Sequence, residues 1–189
     1  MSKCKEAQRG SRTTINAIEG TNKLEFAGRK VTWKIPQFGT LKVNCDAAWN
    51  PQSHKGGVGW VIRNFAGLLH SAGGWENLHR SVEIVEATAL RAALQECAKK
   101  DIHSIEIETD AKTIMQMINK ETGTEASLED IIHDIWKLAQ TFQNATLTYA
   151  HRECNHTARA VASYVSKDGS VHLWYCIGPH FIFSIIAKM

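Results

Sequence analysis

The chain has 189 residues, 43% of them hydrophobic, which suits one domain of about 150 residues with an ordinary core and an extension. Its net charge of +3 is uneven: the first 40 residues hold eight Lys/Arg against three Glu, and the rest holds fourteen basic against sixteen acidic residues. A basic arm on a slightly acidic body fits a polyanion partner only weakly and excludes a body that binds nucleic acid by charge alone. The five cysteines (4, 45, 97, 154 and 176) are odd in number and include no C-x-x-C pair, which excludes a disulfide framework or zinc knuckle and points to a reducing compartment. No apolar leader opens the chain, so the expected location is intracellular, cytoplasm or nucleus.

Residues 1–30 are polar without a sustained period and are expected to form a mobile basic arm. Residues 31–39, with Trp33, Pro36 and Phe38, read as an extended lead-in. In 41–48, Leu41, Val43 and Cys45 alternate with Lys42, Asn44 and Asp46, the period of a strand. The turn formers NPQSHKGG follow, then a second strand over 58–63, the tight turn 64–67 and a third strand over 68–73, together an antiparallel meander.

The longest helical signal is 82–99. At 100° per residue Leu90, Ala93, Leu94 and Cys97 share one face, and Glu86 lies near its middle. A strand is expected over 104–109, then a helix over 111–120 for which Asp110 is a capping candidate, and a second helix over 127–140. The chain then runs through a strand over 145–150 and a helix over about 155–167. The order βββ-α-β-α-α-β-α implies an α/β domain over 31–170, with a mixed sheet and helices on both faces. The apolar run 171–189 is broken by His172, Gly178, Pro179 and His180 and is too short for a good membrane span, so it reads as a tail that docks on the domain.

Three carboxylates sit where folding gains nothing from them: Asp46 in a strand, Glu86 on an apolar helix stripe and Asp110 at a strand-to-helix turn. Burying a polar group without a partner costs on the order of 2–7 kcal/mol. Such a set, converging at strand ends and one helix, suits hard divalent cations, which prefer oxygen ligands and can clamp a phosphodiester. Each member also has a plain structural role open to it: an edge-strand Asp, a helix-start Glu (a role Glu83 fills better) and a capping Asp. The glycine run 56–59 enters a strand rather than a helix, so it is no phosphate loop, and no histidine pair has a metal-ligand spacing. Asn44 and Trp49 flank Asp46 and are candidates for substrate contact.

The strings LKVNCDAAWN, GGVGWVIRNFAGLL, VEIVEATALRAAL, IEIETDAKTIMQMIN and YAHRECNHTARAVAS, in this order, resemble the ribonuclease H domain of the plant reverse-transcriptase-like type, from about Trp33 to the end. The resemblance implies a ribonuclease H-like fold with a five-stranded mixed sheet in the order 3-2-1-4-5. It implies cleavage of the RNA strand of an RNA–DNA hybrid using two Mg²⁺ (or Mn²⁺) ions; a monomer with no small-molecule cofactor and no membrane partner is expected. It assigns Asp46, Glu86 and Asp110 as catalytic metal ligands, Asp46 bridging both ions and Glu86 helping to hold the attacking water.

Three positions depart from the family pattern, the mildest being Ala47, which replaces the usual Gly after the first Asp. Where it carries a fourth Asp in the last helix this chain has Arg159, and where it carries a His ten residues earlier this chain has Tyr149. Arginine stays protonated and only donates hydrogen bonds, so Arg159 cannot ligate a cation but can hold a phosphate. The site then has three carboxylates of four, which suits one retained ion. Two readings follow besides the hydrolase: a hybrid-binding domain without catalysis, and a structural module that kept the fold alone.

Overall fold

The structure, a computed structural model, describes residues 12–14 and 32–188. In chain order the strands are β1 (Arg12–Thr14), β2 (Leu41–Trp49), β3 (Lys55–Arg63), β4 (Leu69–Leu78), β5 (Ser104–Thr109), β6 (Asn144–Tyr149) and β7 (His172–Trp174). The helices are α1 (Val82–Lys99), α2 (Lys112–Ile118), α3 (Glu129–Ala139), α4 (His156–Asp168) and α5 (His180–Ile186), with a short 3₁₀ turn at Arg152–Cys154.

One sheet runs β1-β6-β5-β2-β3-β4-β7. Its central five strands, β4-β3-β2-β5-β6, have the expected 3-2-1-4-5 order. Among the described residues the sheet has seven strands rather than five, because a short strand pairs at each edge: β1 parallel to β6, and β7 antiparallel to β4. Arg12–Thr14 belongs to the segment expected as an arm; the rest of residues 1–30 lies outside the described residues. The meander β2-β3-β4 is antiparallel, whereas β2, β5 and β6 are parallel, so the carboxyl ends of β2 and β5 lie side by side.

Alternation along the strands builds two cores. Val43, Cys45, Val58, Trp60, Ile62, Ile105, Ile107 and Leu147 face α1, α2 and α3 in the larger one, with Leu90, Ala93 and Leu94 of α1 fully buried there. On the opposite face α4 lies across β3. An added Cβ at Gly59 would stand 2.5 Å from the Ala162 backbone nitrogen and 2.9 Å from the Ala158 carbonyl oxygen. The glycine run thus admits the backbone of α4 against the sheet, a close approach that any side chain would block. Beyond α4 the residues after 170 add β7 and α5, and Ile182 is buried with Val61, Leu69, Ala72 and Val161.

Candidate active site

The site is built on two polar rows. The parallel register sets Lys42 beside Glu106 and Asn44 beside Glu108, and one step further each row ends in an aspartate, Asp46 and Asp110. Period-two alternation sends these side chains to the face opposite the main core. Lys42 is 4% exposed and lies 2.7 Å from Glu108 and 3.2 Å from Glu106. Asn44 Nδ2 donates to Glu108 Oε2 at 2.9 Å. Arg63, fully buried, donates to Asn44 Oδ1 at 2.6 Å and lies 3.6 Å from the centre of the Trp33 ring, whose Nε1 donates to the same Oδ1 at 3.1 Å.

Beyond this network the two aspartates meet. Asp46 is 4% exposed. Burial, and then the negative charge of Asp110, push its pKa up to about 7, against the Ala47 N–H that donates to Asp46 Oδ1 at 2.8 Å. Glu86 comes from the first turns of α1, and burial followed by the charges of Asp46 and Asp110 pushes it up to about 9. Its Oε2 is buried without a hydrogen-bond partner. The Cys45 thiol is raised well above its ordinary value, first by burial and then by Glu86 and Asp46. Arg152, on the 3₁₀ turn, opposes the rise at both Asp46 and Glu86. Asn155 is 1% exposed and ties the pieces together: its Nδ2 donates to Asp110 Oδ1 at 2.8 Å and to the Cys45 carbonyl at 2.9 Å.

A divalent cation fits this donor set. The set is all oxygen, carries more negative than positive charge, and contains a buried carboxylate oxygen with no proton donor. As the side chains stand, no group of three His, Cys, Asp or Glu among the described residues is drawn in tightly enough to grip an ion. The Asp110 charge acts on Asp46, and the charges of both aspartates act on Glu86.

The remaining sequence candidates fare differently. Asn44 is fully buried, with its oxygen taken by Arg63 and Trp33 and its amide by Glu108, so it presents no surface to a substrate; it braces the row behind Asp46. Asp110 does not cap the following helix: α2 has no side-chain cap, and the carboxylate turns instead to Asp46 and Asn155. Trp49 stays near the site, partly buried, its Nε1 donating to the His79 carbonyl at 3.2 Å and its ring 6.3 Å from that of His54. Tyr149 is 38% exposed at the end of β6, opposite Thr109, with the His151 ring 5.8 Å away. Arg159 lies one turn along α4 from Asn155, its backbone nitrogen bonded to the Asn155 carbonyl at 3.1 Å.

Sequence reasoning passed over Asn155, Arg152 and the Lys42–Glu108–Asn44–Arg63 network. The strict alternation of polar residues on neighbouring strands was a signal for the network, because polar residues facing a covered sheet must pair with one another. For Asn155 and Arg152 no period points to the site; the signal was their place in the string YAHRECNHTARAVAS, which carries the family resemblance, and the chain crossing after β6 brings them there.

Residues 44–165 match the family model for reverse transcriptase-like domains. Among solved structures, the ribonuclease H1 of the halophilic archaeon Halobacterium salinarum superposes with a TM-score of 0.64 at 23% identity, covering 68% of this chain and 98% of that one. The N-terminal ribonuclease H domain of a Mycobacterium tuberculosis protein gives 0.64 at 14% identity, covering 69% and 95%. LC11-RNase H1 in complex with an RNA/DNA hybrid gives 0.61 at 18%, covering 68% and 97%. No curated protein matches the chain in sequence.

A mixed sheet in this order, with helices on both faces, is a ribonuclease H-like fold. Within that class the chain belongs to the reverse transcriptase-like family, whose match takes in all three carboxylates. Among the described residues no helix is long and apolar enough to cross a membrane.

Proposed function

We propose that the chain is a divalent-cation-dependent endoribonuclease of the plant, retroelement-related type that cuts the RNA strand of RNA–DNA hybrids. The observation that carries this reading is that Asp46 and Asp110 each follow by two residues the last register pair of adjacent parallel strands, Asn44 and Glu108, with a buried, partnerless Glu86 oxygen whose carboxyl both aspartates push up. Ligands in open α/β sheets collect at the carboxyl ends of strands. The hybrid complex of LC11-RNase H1, on the same fold, supports hybrid as the substrate class.

Asp46, Asp110 and Glu86 would hold Mg²⁺ or Mn²⁺, which when bound supplies Lewis-acid stabilisation of charge on the phosphodiester. Asp46 and Asp110 come from rigid strands braced by the buried network, so their carboxylates are placed before substrate arrives. Glu86, on the helix, offers an oxygen that can accept a hydrogen bond from an attacking water. Arg152 supplies a positive group beside the carboxylates that can pair with a phosphate oxygen. Selection of RNA over DNA would rest on contacts to the 2′-hydroxyl. The chain would act as a monomer and need no organic cofactor.

A second reading, a domain that binds hybrid without cutting it, is favoured by one observation: Arg159 stands on α4 one turn from the residue that holds Asp110. A guanidinium there competes with a second cation and suits a phosphate. The test is incubation of a hybrid with end-labelled RNA, in Mg²⁺, Mn²⁺ and chelator, with the native chain and Arg159→Asp. Shortening of the RNA by the native chain, dependent on the ion and absent for single-stranded RNA, is the expected result. Binding without cutting by the native chain, and cutting by Arg159→Asp, would favour the second reading.

A further inference from the structure

We propose that Asn155 is the positioning residue of this site: it fixes the Asp110 carboxylate against β2 and thereby sets the affinity for the cation, an inference that rests on the cation-dependent reading above. Asn155 stands at the N-cap of α4, where an asparagine side chain ordinarily accepts a hydrogen bond from the first turn of the helix. Here no side-chain cap bond forms, and Oδ1 is buried without a hydrogen-bond partner.

The amide is instead spent on two acceptors from two other elements, the Asp110 carboxylate at 2.8 Å and the Cys45 carbonyl at 2.9 Å. The second bond anchors the first, because Cys45 directly precedes Asp46 on β2. One side chain thus spans the strand of one aspartate and the carboxylate of the other. Both partners accept, so the orientation of the amide is settled: the flipped form would set its oxygen against a carboxylate and a carbonyl. A residue kept only for stability would cap the helix; leaving a buried acceptor unpaired to orient a carboxylate is the kind of local sacrifice that marks functional sites. Groups that orient a ligating carboxylate typically change metal affinity about 10- to 100-fold when removed.

The test is Mn²⁺ binding to the full chain by titration calorimetry, for the native protein, Asn155→Ser, Asn155→Ala, Asp110→Asn and the double variant Asn155→Ser/Asp110→Asn. Thermal unfolding in chelator is measured alongside. Serine is a good N-cap and cannot span both acceptors, so Asn155→Ser is expected to keep its melting temperature in chelator while Mn²⁺ affinity falls about tenfold or more. The loss is expected to vanish when Asp110 is already replaced, since the two residues act as one unit. Native affinity in Asn155→Ser and Asn155→Ala would overturn the proposal and leave the cation reading standing. A loss that is undiminished in the Asp110→Asn background would overturn it as well, because Asn155 would then act by another route. Absence of Mn²⁺ binding by the native chain would overturn the cation reading, and this inference with it.

Discussion

Arg63 Nη2 lies 2.6 Å from Asn44 Oδ1 at a point where neither side chain meets solvent. That contact makes the row behind Asp46 a braced structure rather than a chance alignment of polar residues. Arg63 stacks on Trp33, Asn44 bridges to Glu108, and Glu108 holds Lys42. Breaking such a buried set by removing one member costs about 3–5 kcal/mol, because the partners keep their buried charge. Asn44→Ala is therefore expected to lower unfolding free energy by roughly that amount, read from urea denaturation. A loss below about 1 kcal/mol, the level of an exposed pair, would show that the row is not a coupled network.

The contact of α4 with β3 makes a sharp prediction about one glycine. Gly59→Ala puts a methyl 2.5 Å from the backbone nitrogen of Ala162, and a helix backbone cannot step aside as a flexible side chain can. The expected cost is about 1–3 kcal/mol or more. Gly123→Ala, where nothing lies within 4 Å of the added carbon, is the control and is expected to stay within about 0.5 kcal/mol of the parent. Equal effects at the two positions would contradict the packing described.

The carboxylates predict an unusual pH dependence for the cation-free chain. Asp46 and Glu86 have folded-state pKa values pushed up to about 7 and about 9, from ordinary values of 3.8 and 4.5. Between those limits the folded chain holds protons that the unfolded chain has lost, so stability falls as pH rises. In chelator the melting temperature is expected to drop from pH 5 toward pH 9, and Mg²⁺ is expected to restore most of the loss at the alkaline end by binding the folded form. The Asp46→Asn/Glu86→Gln double variant should lose both the slope and the Mg²⁺ effect. A native chain whose stability is flat over this range would mean that the carboxylates are not held in a shared buried site.

The tail is expected to be integral to the second core. Ile182 is fully buried against Val61, Leu69, Ala72 and Val161. Ile182→Ala should cost about 2–5 kcal/mol, whereas Ile177→Ala, at a side chain 87% exposed, should stay near zero. Matching small effects in a denaturant series would show that α5 contributes nothing to the fold.

Much of this was legible in the sequence because alternation and helical period carried it. The five central strands, their order and the helices on both faces follow the expected pattern, with boundaries shifted by a few residues. β3 begins at Lys55 rather than 58 because glycines 56 and 57 have no strand propensity of their own and are held by pairing with β2 and β4. β7 and α5 were legible only as an apolar tail, since three residues of strand and seven of helix are too short to declare a period. Asp46 and Glu86 stood out because each violates the local preference of its element. Asp110 did not, since a capping role would have explained it equally well. Asn44, a candidate for substrate contact, is taken up by the network instead, and nothing in a single strand reveals that Arg63, nineteen residues on, bonds to it. Asn155 stood in the string that carried the resemblance, but its role was hidden because its partners lie 45 and 110 residues away.

The account stands most directly on Asp46, and the measurement is the rate of RNA-strand cleavage in a labelled RNA–DNA hybrid, in saturating Mn²⁺, by the native chain and by Asp46→Asn. Asparagine keeps the shape and removes the charge that places the cation. The account predicts cleavage by the native chain and a loss of at least about 100-fold in the variant, the scale of removing one principal electrostatic contact at a transition state. Equal cleavage by both chains, or none by the native chain, would contradict it.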